Sequence, residues 1–177
     1  MVRSNRPRAD TQLLVLVTPD SRLPTPNSSG APMTETLLLL HLAATWFMVG
    51  LIWFVQIVHY PLFAGVGADV WVPYAAAHTR RTGWAVGPPM LTEAVTGVLL
   101  LGTRPDAVPA AWVWAGLGLL VVVWASTALL QVPRHRLLAA GFDAAVWRLL
   151  VATNWLRTAA WSARGALALA MIARALG

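Results

Sequence analysis

Two stretches, residues 36–58 and 110–130, contain no Asp, Glu, Lys or Arg, and nothing constrains this chain more. An apolar helix of roughly 20 residues crosses the ~30 Å hydrocarbon layer of a bilayer. Only a helix or a closed barrel satisfies its backbone amides and carbonyls there. The 177-residue chain is 58% hydrophobic and 11% charged, whereas a soluble domain carries about a quarter charged residues. The sequence therefore predicts an all-α integral membrane protein.

Four spans are predicted. The first covers about 35–60 and ends at Pro61; the second, 84–103, carries Glu93 and has Pro88 and Pro89 in its first turns, where missing amides cost least. The third covers 110–131 and ends near Pro133, and the fourth, 154–175, carries Arg157 and Arg164. Residues 104–109 are expected to form a tight turn. The longer connections 61–83 and 132–153 are expected to hold short helices lying at the interface. The predicted architecture is a four-transmembrane-helix bundle. Residues 1–32, rich in Arg, Pro and Ser, hold only the short apolar run "LLVLV"; they read as disordered or as a start-site extension ahead of Met33.

An internal repeat runs through the domain 33–177. "VQIVHYPLFAGVGADVW" (55–71) aligns with "LQVPRHRLLAAGFDAAVW" (130–147), pairing Gln56 with Gln131, His59 with His135 and Trp71 with Trp147. The same offset sets His78 on Asn154, Arg81 on Arg157 and Thr82 on Thr158. Agreement at polar and aromatic positions means more than agreement at Ala, Leu and Val. The unit is span, interfacial helix, span, occurring twice (about 35–103 and 110–175). It predicts a parallel duplication about an axis along the membrane normal.

The net charge of +6 comes from thirteen arginines, with no lysine. They cluster at the ends of apolar runs, which suits membrane topology rather than nucleic-acid binding. Arg80, Arg81, Arg134, Arg136 and Arg148 sit on the long connections, against Arg104 and Arg174 on the other face. That bias puts the connections in the cytoplasm and both termini outside. The absence of cysteine excludes disulfides and thiolate chemistry. No Walker A, GxSxG or HExxH pattern is present, and "GVGADV" (65–70) follows no strand.

The polar residues near the span ends are the candidate site. Trp53, Gln56, His59 and Tyr60 share one helical face, as do Asn154, Arg157, Trp161 and Arg164. Glu93 lies roughly 12–15 Å inside its span by helical rise. Charges at such depth are costly and face partners in the bundle interior, so Glu93 is expected to pair with Arg164 or Arg157. Three chemistries fit. His59, His78 and His135 with Glu93 suit Fe, Cu or Zn. His59 and His135 suit haem, with arginines on its propionates. Alternatively His59 and His135 act as bases while Arg81 and Arg157 stabilise an oxyanion. Gln56, Gln131, Asn154, Trp53, Trp161, Glu93 and Arg164 would then contact the substrate. Trp46, Trp53, Trp124 and Trp161 lie deeper than the other tryptophans and read mainly as core.

The span arrangement, with "WFVQIVHYPLF" and "NWLRTAAWSARG" at the span ends, resembles a family of small bacterial membrane proteins, the anthrone-oxygenase-like proteins of largely unknown function. The resemblance covers about residues 34–176 and carries no catalytic assignment. It implies oxidation of a lipophilic aromatic by oxygen without a conventional cofactor, in a bacterial inner membrane. The expected function is thus an oxidoreductase-type enzyme on a small lipophilic molecule. The alternative is a small transporter, or an accessory protein binding lipid or an anion.

Overall fold

The computed structural model describes residues 31–177; the expectation for 1–32 lies outside these, save that Ala31 and Pro32 open the first helix. The described residues are nearly all helical, with no strand. Helix α1 (Ala31–Phe54) passes through a π turn, Val55–His59, into the short α2 (Tyr60–Leu62) and a 3₁₀ turn, Phe63–Gly65. Helix α3 is Ala68–Thr103, and α4 is Ala110–Ser126. A second π turn, Thr127–Gln131, leads into α5 (Val132–Ala140), and α6 is Ala144–Leu176. Three stretches, Pro32–Gly65, Ala68–Thr103 and Ala110–Ala140, are long and apolar enough to cross a membrane. Helix α6 is 33 residues long but carries four arginines, which lower its hydropathy.

Neither expected proline stop ends a helix. Proline lacks an amide, and its ring presses on the carbonyl four residues back. Just ahead of Pro61 the Tyr60 amide bonds the Val55 carbonyl, five residues back, and Val132 does the same to Thr127 ahead of Pro133. Each wide turn makes room for its proline and lets the helix continue. The expected interfacial helices are likewise fused to their neighbours. Residues 68–83 run straight into the second span, so Pro88 and Pro89 lie mid-helix. At the junction itself the sequence offers Gly83, and one glycine costs about 1 kcal/mol in a helix; Pro73, Pro88 and Pro89 all lie inside α3 without ending it. The turn at 104–109 is as expected, with the Val108 amide bonded to the Pro105 carbonyl. At the other end Asp143 caps α6 by accepting from the Ala145 and Val146 amides at 2.7 and 3.0 Å. Those two bonds hold its carboxyl below the usual carboxylate range.

The long helices pack in a ring: α1 and α4 each lie between α3 and α6. The closest approach is at Gly165 of α6, where a Cβ would fall 2.9 Å from Val49 Cγ2 and 3.5 Å from Trp46 Cε2. Gly165→Val should therefore cost roughly 1–3 kcal/mol by overpacking. Thermal denaturation in detergent checks this, with Gly118→Val as the neutral control, since nothing lies within 4 Å there.

Along the bundle axis, apolar and polar layers alternate. Leu38, Leu100, Val108, Val113 and Met171 fill the end that carries 104–109. Next come buried His41, Thr45, Glu93, Thr96 and Arg164. A middle apolar layer joins Met48, Ile52, Leu120, Val123 and Trp161. Beyond it lie buried Gln56, Asn154, Arg157 and Thr158. Tyr60, Phe63, Trp71, Leu138 and Leu150 close the far end.

Candidate functional site

Three helical segments bring three histidines together at the far end. His59 ends the first π turn, His78 lies on α3 and His135 on α5. His59 Nε2 is 2.8 Å from His78 Nδ1, with Thr82 Oγ1 also 3.2 Å from that nitrogen. The His78 and His135 rings stand 5.3 Å apart. His135 Nε2 is 2.9 Å from the Tyr60 hydroxyl. Phe63 packs edge-on against His59 and His78, at 5.1 Å from each. Each imidazole of the His78–His135 pair thus has one nitrogen held by a partner, while His78 Nε2 and His135 Nδ1 have no bond among the described residues.

Behind His135 the site is deep and polar. Tyr60 is 4% exposed, and the Arg157 guanidinium lies against its hydroxyl. Arg157 donates to Asn154 Oδ1 at 3.1 Å, and Asn154 Nδ2 donates to Gln56 Oε1 at 2.8 Å. Gln56 in turn donates to the Val151 carbonyl at 3.2 Å. Arg157 is only 7% exposed, its Nε has no partner, and no carboxylate pairs with it among the described residues. The only ion pair described is Arg164 with Glu93.

Two grooves flank His78. One, of about 540 Å³, runs between α3 and α5 and is lined by His78, His135, Thr82, Arg80, Arg136 and apolar Val132. The other, of about 290 Å³, is lined by His59, Tyr74, His78 and Arg81. Arg81, expected to match Arg157, is exposed on the rim.

The remaining expected residues are distributed differently. Gln131 is buried and donates to Thr153 Oγ1 at 3.1 Å, with no bond to a histidine among the described residues. Trp53 is 39% exposed, bonded to Ser162 and set edge-on to Trp155, facing out of the bundle. Trp161 is wholly buried in the middle apolar layer. Trp46 and Trp124 face outward. Glu93 and Arg164 pair as expected, at 3.1 Å. They sit apart from the histidines: His78 and Glu93 are about 22 Å apart along α3 by helical rise. The proposed metal set of His59, His78, His135 and Glu93 is therefore not assembled. Among the described residues no group of three or more His, Asp or Glu has metal-binding spacing. Haem ligation by His59 and His135 meets a further obstacle, since the His78 ring stands against both.

Sequence reasoning missed two participants. Tyr60 was seen only as part of a stripe, although its hydroxyl meets His135 at 2.9 Å with Arg157 nearby. His41, at the opposite end of the first span and outside the candidate set, is buried against Thr96 at 2.8 Å. Its signal was available: a histidine inside an uncharged run needs a partner. The chain matches no family model, no curated protein and no solved structure.

Proposed function

We propose that the chain is an integral membrane enzyme that takes a proton from a small, weakly acidic lipophilic molecule and holds the resulting anion for oxidation by dioxygen. The observation that carries this reading is Arg157, a buried cation with no carboxylate partner among the described residues. A charge removed from water without a counter-ion is costly, and an anion formed at the site repays that cost. His135 and His78 face the larger groove, and their free nitrogens suit one imidazole to accept the proton while the other donates. Tyr60, bonded to His135 and backed by Arg157, passes the positive field of the guanidinium to the reacting end. Dioxygen adds to the electron-rich carbanion; one oxygen atom stays in the product as a carbonyl and the other leaves as water. The four-electron balance closes on the substrate itself. The resemblance to the anthrone-oxygenase-like proteins suits the same chemistry.

The proposal includes four spans built from a parallel duplication. In support, α1 and α4 occupy opposite corners of the ring, as do α3 and α6, and a π turn followed by proline occurs in both halves. The aligned tryptophans also cross over. Trp71 Nε1 donates to the Leu138 carbonyl at 2.6 Å, and Trp147 Nε1 to the Tyr60 carbonyl at 2.8 Å. The arginine-rich end bearing the grooves faces the cytoplasm of a bacterial inner membrane, by the charge bias of the connections.

Oxygen uptake by the purified protein, with anthrone as probe, tests the proposal. His135→Gln and His78→Gln should each lower the rate by about 10²–10⁴-fold. No uptake above the uncatalysed rate, or an unchanged rate in both variants, contradicts it.

A further inference from the structure

The layer on the other side of Trp161 holds a second constellation that the histidine site does not use. Glu93 is 0% exposed. Its Oε1 takes both available bonds, from Thr45 Oγ1 at 2.6 Å and from Arg164 Nη2 at 3.1 Å. Its Oε2 has no partner, and neither has Arg164 Nε. Arg164 Nη1 is turned away to the Gly116 carbonyl.

This is not the arrangement of a permanent ion pair. Arginine and a carboxylate held for structure meet in a two-pronged contact that satisfies both oxygens. Here one oxygen is doubly bonded to donors and the other is bare, which is the asymmetry of a carboxylic acid. Thr45 on α1 and Arg164 on α6 bond the Glu93 carboxyl, Thr96 on α3 bonds its backbone carbonyl and His41 on α1, and the Gly116 carbonyl on α4 bonds Arg164. Arg164 is the only charge among them. His41 is the only other titratable group, and Thr96 links it to the Glu93 turn. A small enclosed void of about 10 Å³ touches His41, Gly116 and Arg164 and extends towards Trp112 and Met171. That is about the space one water needs, and it lies beside Arg164.

We propose that Glu93, His41, Thr45 and Arg164 form a separate proton-binding site, with Glu93 Oε2 as the acceptor. The middle apolar layer of Met48, Ile52, Leu120, Val123 and Trp161 separates it from the histidines, and the layer of Leu38, Leu100, Val108, Val113 and Met171 lies between it and the 104–109 end.

Infrared difference spectra of the full chain in lipid nanodiscs, recorded between acid and alkaline buffer, test this without any substrate. With the acid buffer at about pH 6, where ordinary carboxyl groups stay ionised, a carboxylic-acid carbonyl band should appear on acidification and shift in heavy water. It should be absent in Glu93→Gln and move to higher frequency in Thr45→Val, which removes the hydroxyl donor. If Glu93→Gln does not fold, the Thr45→Val displacement alone identifies the band. Absence of a band that responds to these variants, or a band unchanged with pH, overturns the proposal. Loss of anthrone oxidation with the band intact would instead count against the histidine site alone.

Discussion

Arg157→Met should make the protein more stable and inactive. In the folded state the guanidinium is 7% exposed and meets Asn154 and Tyr60 but no carboxylate among the described residues. Replacing a buried cation that has no counter-ion removes a desolvation cost of several kcal/mol, against about 1–3 kcal/mol for the acceptor left bare on Asn154. At this chain length each kcal/mol moves Tm by about 2–4 °C. The same change removes the field that holds the anion, a loss of about 10²–10³-fold in rate for one preorganised donor. A gain in Tm together with that loss is the signature of a residue kept for chemistry at the expense of stability. A purely structural arginine gives the reverse: Arg157→Met would lower Tm and leave oxygen uptake in the folded fraction unchanged.

The second large effect lies outside both polar sites. Trp161 is wholly buried among Met48, Val49, Ile52, Leu120, Val123 and Ala160, and Arg164 lies 5.6 Å over its ring. Trp161→Ala empties the centre of the layer that separates the two polar clusters. In water such a truncation costs about 3–5 kcal/mol. Lipid, unlike water, also solvates the side chain in the unfolded state, so about 3 kcal/mol is expected. Chemical denaturation in detergent measures this. The opened layer also gives Glu93 access to the histidine face, so the proton-exchange rate of its carboxyl should rise. Trp161→Phe, which keeps most of the volume, should preserve both stability and isolation.

The helical class and the positions of the long apolar helices were legible because they follow from charge exclusion alone. The Glu93–Arg164 pair was legible for the same reason: a buried charge requires a partner, and few were available. The convergence of His59, His78 and His135 followed from reading the repeat at polar positions. The assembled metal set was not realised, because depth along a helix was the deciding quantity. His78 and Glu93 lie on one helix only when 68–83 and the second span are continuous, and that continuity depends on Pro88 and Pro89 failing to break α3. Proline reads as a stop in sequence. The π turns before Pro61 and Pro133 show how local backbone geometry absorbs that signal, and no residue type announces a π turn. The difference between Arg81 and Arg157 was equally hidden. The expected repeat would make them equivalent, yet Arg81 lies on an exposed rim whereas Arg157 is buried beside Asn154.

The central claim is that this site ionises a weakly acidic lipophile. The most direct measurement is the visible absorption of anthrone bound to the protein without oxygen, where chemistry stops at proton removal. The account predicts the long-wavelength band of the anthrone anion with wild type at neutral pH, absent with Arg157→Met and with His135→Gln. Bound anthrone that keeps the neutral spectrum in wild type, or that ionises equally in all three proteins, would contradict it.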